Sequence, residues 1–270
     1  NDRDDAENAR KLDMRTRRRF LAYVTVGLSC LFGILSHPEP TFADDAPAPG
    51  RQVGQHFRSK TNKMHSCRYL VFLPSSYKSA GRPTPLLLFL HGSGERGDDL
   101  EKVKAHGPPK IVKTRPNFPF VVVSPQVPAT LRFNAKALLD LLDHLQSTYN
   151  VDKTRTAVTG LSMGGAGTWA VANAAPERFS AIVPICGTST IETKRFLKLP
   201  TWVTVGGQDK PRLVDSLKTT VANLKAQGAP IRFTLYPRLG HNCWDATYND
   251  PGLYRWILDQ STRNRPGRSH

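Results

Sequence analysis

Apolar residues in this chain fall in short runs separated by segments with helical spacing. Residues 86–90 and 120–123 are continuous apolar runs that end at His91-Gly92 and at Ser124-Pro125, and residues 67–73 alternate in the manner of a strand. Residues 156–159, 181–185, 202–205 and 231–236 read as further strands. Between them, Ala137, Leu138, Leu141, Leu142 and Leu145 recur on one helical face, which predicts a helix over about 134–148. A helix of small residues is predicted over 164–174, another over 213–227 closed by Gly228, and a last one over 253–259. Fully apolar strands alternating with helices predict an α/β fold, a mostly parallel central sheet with helices on both faces and no separate lid domain. Ligands bind such sheets at the C-terminal ends of the strands, where the glycine-bearing polar residues of this chain collect.

The N-terminus departs from that pattern. Residues 1–19 are highly charged, residues 20–35 (FLAYVTVGLSCLFGIL) are almost entirely apolar or small, and a polar stretch then leads to Thr41-Phe42-Ala43. This is the order of a secretory signal, and the apolar run is short for a membrane-spanning helix of about 20 residues. Thr16-Arg17-Arg18-Arg19-Phe20-Leu21 resembles a twin-arginine export signal, although Ala22 stands where such signals often carry lysine. Residues 1–43 are therefore expected to be a signal peptide or N-terminal anchor, with export to a periplasmic or extracellular location. Residues 44–63 are expected to be a linker or a loose first strand, 64–260 the α/β domain, and 261–270 a basic flexible tail. No stable membrane insertion is expected once the signal is cleaved.

A length of 270 residues with 39% hydrophobic content supports one sizeable core. The formal charge of +16, from 38 Lys and Arg against 22 Asp and Glu, is spread along the chain instead of forming one tract. With no nucleic-acid-binding motif, it reads as a basic enzyme surface and not as a nucleic-acid site. Removal of the signal would leave Cys67, Cys186 and Cys243; no CxxC pair is present, so a structural zinc site is not expected. The chemistry of the residues below needs no metal or organic cofactor, and none is expected.

The strongest chemical signal is Gly160-Leu161-Ser162-Met163-Gly164-Gly165, a G-x-S-x-G sequence between a strand and a helix. In that context the serine occupies a sharp turn that lifts its hydroxyl clear of the sheet, beside the positive end of the helix. A serine needs a base to become nucleophilic, and the fold orders its partners as acid then histidine. His241 follows the strand at 231–236, in Leu239-Gly240-His241-Asn242, and Asp209 follows the strand at 202–205, in Gly206-Gly207-Gln208-Asp209. Ser162, Asp209 and His241 are thus the expected triad. The expected oxyanion donors are the N–H of Met163 and that of Ser93, with Gly92 as the alternative. His91, Gln126 and Trp244 are candidates for the pocket, whereas Trp256 is expected in the core.

These residues carry a family likeness. Arg68 to Pro74, the loop Leu88-Phe89-Leu90-His91-Gly92-Ser93-Gly94-Glu95-Arg96-Gly97-Asp98-Asp99, Ser124-Pro125-Gln126, Gly160 to Gly165 and His241 to Pro251 resemble a group of bacterial α/β-hydrolases. That group comprises carboxylesterases, predicted peptidases, phospholipase/carboxylesterase-like proteins and polyhydroxybutyrate-depolymerase-like esterases. The likeness covers about residues 64–260 and implies the same triad of Ser162, Asp209 and His241. Two departures stand out: the short loop 126–133 lacks tryptophan, and Lys210-Pro211-Arg212 puts basic residues directly after the acid. Cys186 and Cys243 are both expected at the site rim, where they could form a disulfide. The expected reaction is hydrolysis of a small-molecule or polymer-borne ester, with peptide hydrolysis and a non-catalytic binding role as the alternatives. The sequence sets neither the natural substrate nor the oligomeric state.

Overall fold

A computed structural model of the chain describes residues 47–60 and 62–264. The expected signal at 1–43 and the end of the tail, 265–270, lie outside the described residues. Eight strands form one sheet: β1 (Gln52–Phe57), β2 (Cys67–Phe72), β3 (Thr84–Leu90), β4 (Val121–Gln126), β5 (Val151–Leu161), β6 (Ala181–Ile185), β7 (Thr201–Gly206) and β8 (Ile231–Tyr236). The spatial order is β1-β2-β4-β3-β5-β6-β7-β8. β2 is antiparallel to β1 and β4, and every other pairing is parallel.

The helices are α1 (Gly107–Ile111), α2 (Ala135–Thr148), α3 (Met163–Ala174), α4 (Pro211–Ala226), α5 (Trp244–Asn249) and α6 (Pro251–Leu258). They cover both faces of the sheet. That arrangement explains the unbroken apolar runs: Leu86 to Leu90 of β3 and Val121 to Val123 of β4 are all removed from water. α2 buries Leu138, Leu141, Leu142 and Leu145, the stripe visible in the sequence, and its first turn is capped by the Asn134 side chain, which accepts from the Ala137 N–H. α4 ends at Gly228, at φ +78°, with the Ala229 N–H bonded to the Leu224 carbonyl and the Gly228 N–H to the Lys225 carbonyl. This double closure needs a left-handed residue, which glycine adopts without a Cβ penalty.

One open alternative is decided, and one boundary differs from expectation. Within the segment expected to be a linker or a loose first strand, residues 52–57 are the edge strand β1, paired in register with β2 from Gln52–Phe72 to Phe57–Cys67. Its mixed composition left it faint in the sequence, because an edge strand buries little: only Phe57 is buried. At the other end, Thr262 is buried and starts a short 3-10 turn (Thr262–Asn264), so the described start of the expected flexible tail is packed on the domain. Among the described residues no helix is long and apolar enough to cross a membrane.

The sheet order also locates the site. From β3 the chain first builds outward to β4, then returns across β3 to add β5 through β8 on the other side. The reversal lies between β3 and β5, whose parallel register runs to Leu90 opposite Gly160. The crevice beyond that pair is the topological switch point, where open α/β sheets place ligands.

Gly228→Ala places a side chain in a left-handed conformation while meeting no neighbour within 4 Å. The expected cost is about 1 kcal/mol, a Tm lower by about 2–4 °C, with no change in secondary structure, measured by thermal denaturation followed by circular dichroism.

Candidate active site

Ser162 sits between β5 and α3 at φ 53°, ψ −112°, a conformation that a residue with a side chain rarely adopts. The turn is held by the Ser162 N–H bonded to the Ile185 carbonyl of β6 and by the Ala166 N–H bonded to the Ser162 carbonyl. Gly164 explains why the motif needs glycine. A Cβ there would fall inside the Leu90 carbonyl of β3 and crowd the carbonyl of His91. α3 can therefore start hard against the end of β3, and the nucleophile elbow and the loop after β3 become immediate neighbours.

The three expected triad residues come together. His241 Nε2 lies 2.8 Å from Ser162 Oγ, and His241 Nδ1 lies 2.7 Å from Asp209 Oδ2. The Asp209 side chain is 2% exposed while that of His241 is 46% exposed, so the acid is buried and the base faces the solvent side of the crevice. A buried carboxylate is costly unless its oxygens are satisfied. Asp209 Oδ2 has His241, and Oδ1 accepts the Lys210 backbone N–H at 2.7 Å. The basic side chains of Lys210 and Arg212 are exposed, so this stretch serves the acid through its backbone and through Pro211, which opens α4.

The oxyanion candidates lie where the two strand ends meet. Met163 is the first residue of α3, so its N–H has no intrahelical acceptor. Gly92 and Ser93 lead the loop after β3, with Ser93 exposed at the start of a short 3-10 turn (Ser93–Glu95).

His91 and Gln126, expected to line the pocket, do not: both are buried beneath the loop and brace it. The Val127 N–H donates to His91 Nε2 at 3.2 Å, which leaves the proton on Nδ1, and Nδ1–H donates to the Gly92 carbonyl at 2.6 Å. That bond turns the Gly92 carbonyl toward His91. Burial lowers the His91 pKa to about 4, so the ring is neutral at pH 7. Gln126 Nε2 donates to the Glu95 and Asp99 carbonyls at 2.8 and 2.7 Å and ties the far side of the same loop to β4. The short loop 126–133 adds Phe133, edge-on to His91 with ring centroids 5.0 Å apart.

Trp244 does stand at the site, half-buried and edge-on to His241 at 5.7 Å between ring centroids. It also brings in residues that the sequence did not single out. Trp244 Nε1–H donates to His106 Nδ1 at 3.3 Å, and His106 lies 3.9 Å from oxygens of both Glu95 and Asp245. His106 and Trp244 are 138 positions apart, and nothing in the local pattern links them. Tyr248 is core: its hydroxyl meets Thr159 Oγ1 at 3.0 Å. Trp256 is core too, edge-on to Trp202.

The expected disulfide is not formed. Cys186 and Cys243 are buried free thiols beneath the triad, with Cys186 donating to Cys243; that hydrogen bond, together with burial, pushes the Cys186 thiol far up. Among the described residues no group of three or more His, Cys, Asp or Glu side chains is gathered as a metal site.

The model of the dienelactone hydrolase family matches residues 53–249, which include both loops and all three triad positions. The chain belongs to the dienelactone hydrolase family. None of the curated proteins compared with the chain matches it. Among solved structures, a thermostable esterase matches with a TM-score of 0.66 at 28% identity, over 78% of this chain and 63% of that one. The chain thus spans less than two thirds of that esterase's length. A ferulic acid esterase matches with a TM-score of 0.59 at 20% identity, over 77% of this chain and 96% of that one. A Staphylococcus aureus fluorophosphonate-binding serine hydrolase matches with a TM-score of 0.55 at 20% identity, over 78% and 98%. The last two share the fold. The Ser162–His241–Asp209 hydrogen bonds have the geometry of a Ser-His-Asp triad.

The buried neutral His91 has a pH consequence. Its folded pKa of about 4 lies below the ordinary value of 6.5, so the unfolded chain binds the extra proton. The associated stability is fully present above pH 6.5 and is lost as pH falls toward 4. The expected loss is about 3 kcal/mol across that window. Urea unfolding at several pH values is expected to show it as a falling midpoint, with a flatter pH dependence in His91→Asn over the same window.

Proposed function

We propose that the protein is a serine carboxylesterase working through an acyl-enzyme. The observation that carries this reading is the continuous hydrogen-bonded chain from buried Asp209 through His241 to Ser162 on a strained elbow at the sheet's switch point. In the first step His241 Nε2 takes the Ser162 proton as Oγ attacks the ester carbonyl. Asp209 holds the Nδ1–H tautomer and stabilises the imidazolium that forms. The N–H groups of Met163 and Ser93 receive the oxyanion, at the positive end of α3. His241 then protonates the leaving alcohol, and water cleaves the acyl-enzyme with the same base.

The His91 and Gln126 bonds support the oxyanion assignment, because they fix the loop before substrate arrives. The loop and C-terminal motifs support a carboxylesterase-like reading within the group the chain resembles. The charged, apolar and small-residue order of residues 1–43 supports export, through a twin-arginine route given Thr16 to Leu21.

The test is hydrolysis of a short-chain aryl ester by the full chain. Ser162→Ala is expected to lower kcat by about a thousandfold or more with little change in KM, and Asp209→Asn by a comparable factor through loss of the tautomer. Gln126→Ala is expected to lower kcat more than it raises KM, because it loosens the loop that meets the transition state and not the ground state. Equal hydrolysis by wild type and Ser162→Ala, with both folded, sinks the reading.

A further inference from the structure

The rim beside the nucleophile holds a set of groups that the proposed chemistry does not use. Trp244 Nε1–H donates to His106 Nδ1, and an indole N–H only donates, so a neutral His106 carries its proton on Nε2. That Nε2 faces Glu95 Oε1 at 3.9 Å, too far for a direct hydrogen bond. Glu95 belongs to the oxyanion loop. Its other oxygen, Oε2, is buried without a hydrogen-bond partner and lies 2.9 Å from the place a Cβ on Gly92 would occupy. Asp245 completes the rim, half exposed, 3.9 Å from His106 Nδ1. Arg96 spends its guanidinium on the Ser93 and Leu131 carbonyls. A buried carboxylate oxygen with no partner, set against the oxyanion loop, is expensive unless something else satisfies it.

We infer that Glu95, His106 and Trp244 form a substrate subsite for a hydroxyl-bearing group attached to the scissile ester. The inference rests on the esterase reading and narrows its substrate class. A hydroxyl both donates and accepts, which suits an acceptor at Glu95 facing a donor at His106 Nε2. An ammonium only donates and leaves the imidazole N–H unmatched, and a carboxylate would face the like charges of Glu95 and Asp245. The indole of Trp244 offers an apolar side for the carbon skeleton of a polyol. The favoured substrate is therefore a neutral polyol ester, in contrast to the anionic substrate that the protein's overall positive charge would suggest.

The experiment uses the full chain with 6-O-acetylglucose and hexyl acetate as a matched pair. Wild type is expected to favour 6-O-acetylglucose in kcat/KM. Glu95→Gln, which keeps the shape of the side chain, and His106→Ala are each expected to lower that ratio by about tenfold, mainly through KM. An unchanged ratio in both variants overturns the subsite. Binding of 6-O-acetylglucose to Ser162→Ala, read by tryptophan fluorescence, separates this inference from the reading beneath it. Binding that Glu95→Gln weakens supports the subsite even where no ester is turned over. Turnover of hexyl acetate through Ser162, without any such weakening, overturns the subsite and leaves the esterase intact. Monoethyl succinate turned over faster than ethyl butyrate would likewise overturn it.

Discussion

The contact between the start of α3 and the end of β3 governs the rest of the site. Because Gly164 has no Cβ, the helix begins against the Leu90 and His91 carbonyls, closer than any side chain would permit. Two consequences follow from that one approach. Ser162 is forced into a conformation that raises its hydroxyl above the sheet, and the first N–H of the helix comes beside the loop that carries Gly92 and Ser93. The strain at Ser162 persists because bonds to Ile185 and Ala166 over-determine the turn. A larger residue at 164 would push the helix back and separate the nucleophile from the loop that faces it.

Around this contact the polar groups are arranged by how much water each can keep. Asp209 is buried and has its oxygens matched by a backbone N–H and an imidazole. His91 is buried and neutral, with both ring nitrogens occupied, so it works as a strut and not as an acid or base. His241 alone of these remains open to the crevice, as a group that must exchange protons with substrate and water needs to be. The same residue type thus serves as a fixed brace in one place and a titrating base in another, and burial decides which.

The rim contrasts with the rest of the molecule. A chain of net charge +16 puts Glu95 and Asp245 around His106 at this rim, while Arg96 is bonded to the Ser93 and Leu131 carbonyls. Long-range charge and local recognition therefore point in different directions. At short range, a partly desolvated carboxylate and its hydrogen-bonding needs outweigh a diffuse field screened by salt over about 8–10 Å.

The sequence by itself determined the layered α/β architecture and the identity of the triad. Apolar runs such as 86–90, short and ended by turn residues, read as buried strands, and G-x-S-x-G between a strand and a helix leaves few alternatives for Ser162; with the serine fixed, strand ends and chain order favoured Asp209 over Asp215 and Asp245, and His241 over His91. These signals are local, a periodicity or a turn, and local signals are written in consecutive residues. The tertiary structure decided what depends on distant contacts or on burial. β1 was faint because an edge strand buries only Phe57. His91 and Gln126 proved to be braces and not pocket walls, since the side of a loop a strand-end residue faces is set by packing. Cys186 and Cys243 lie together as thiols, a fact that spacing could not give. His106 and Glu95 were invisible as site residues because their meaning comes from Trp244, more than a hundred positions away, and no pattern along the chain records a contact that only folding creates.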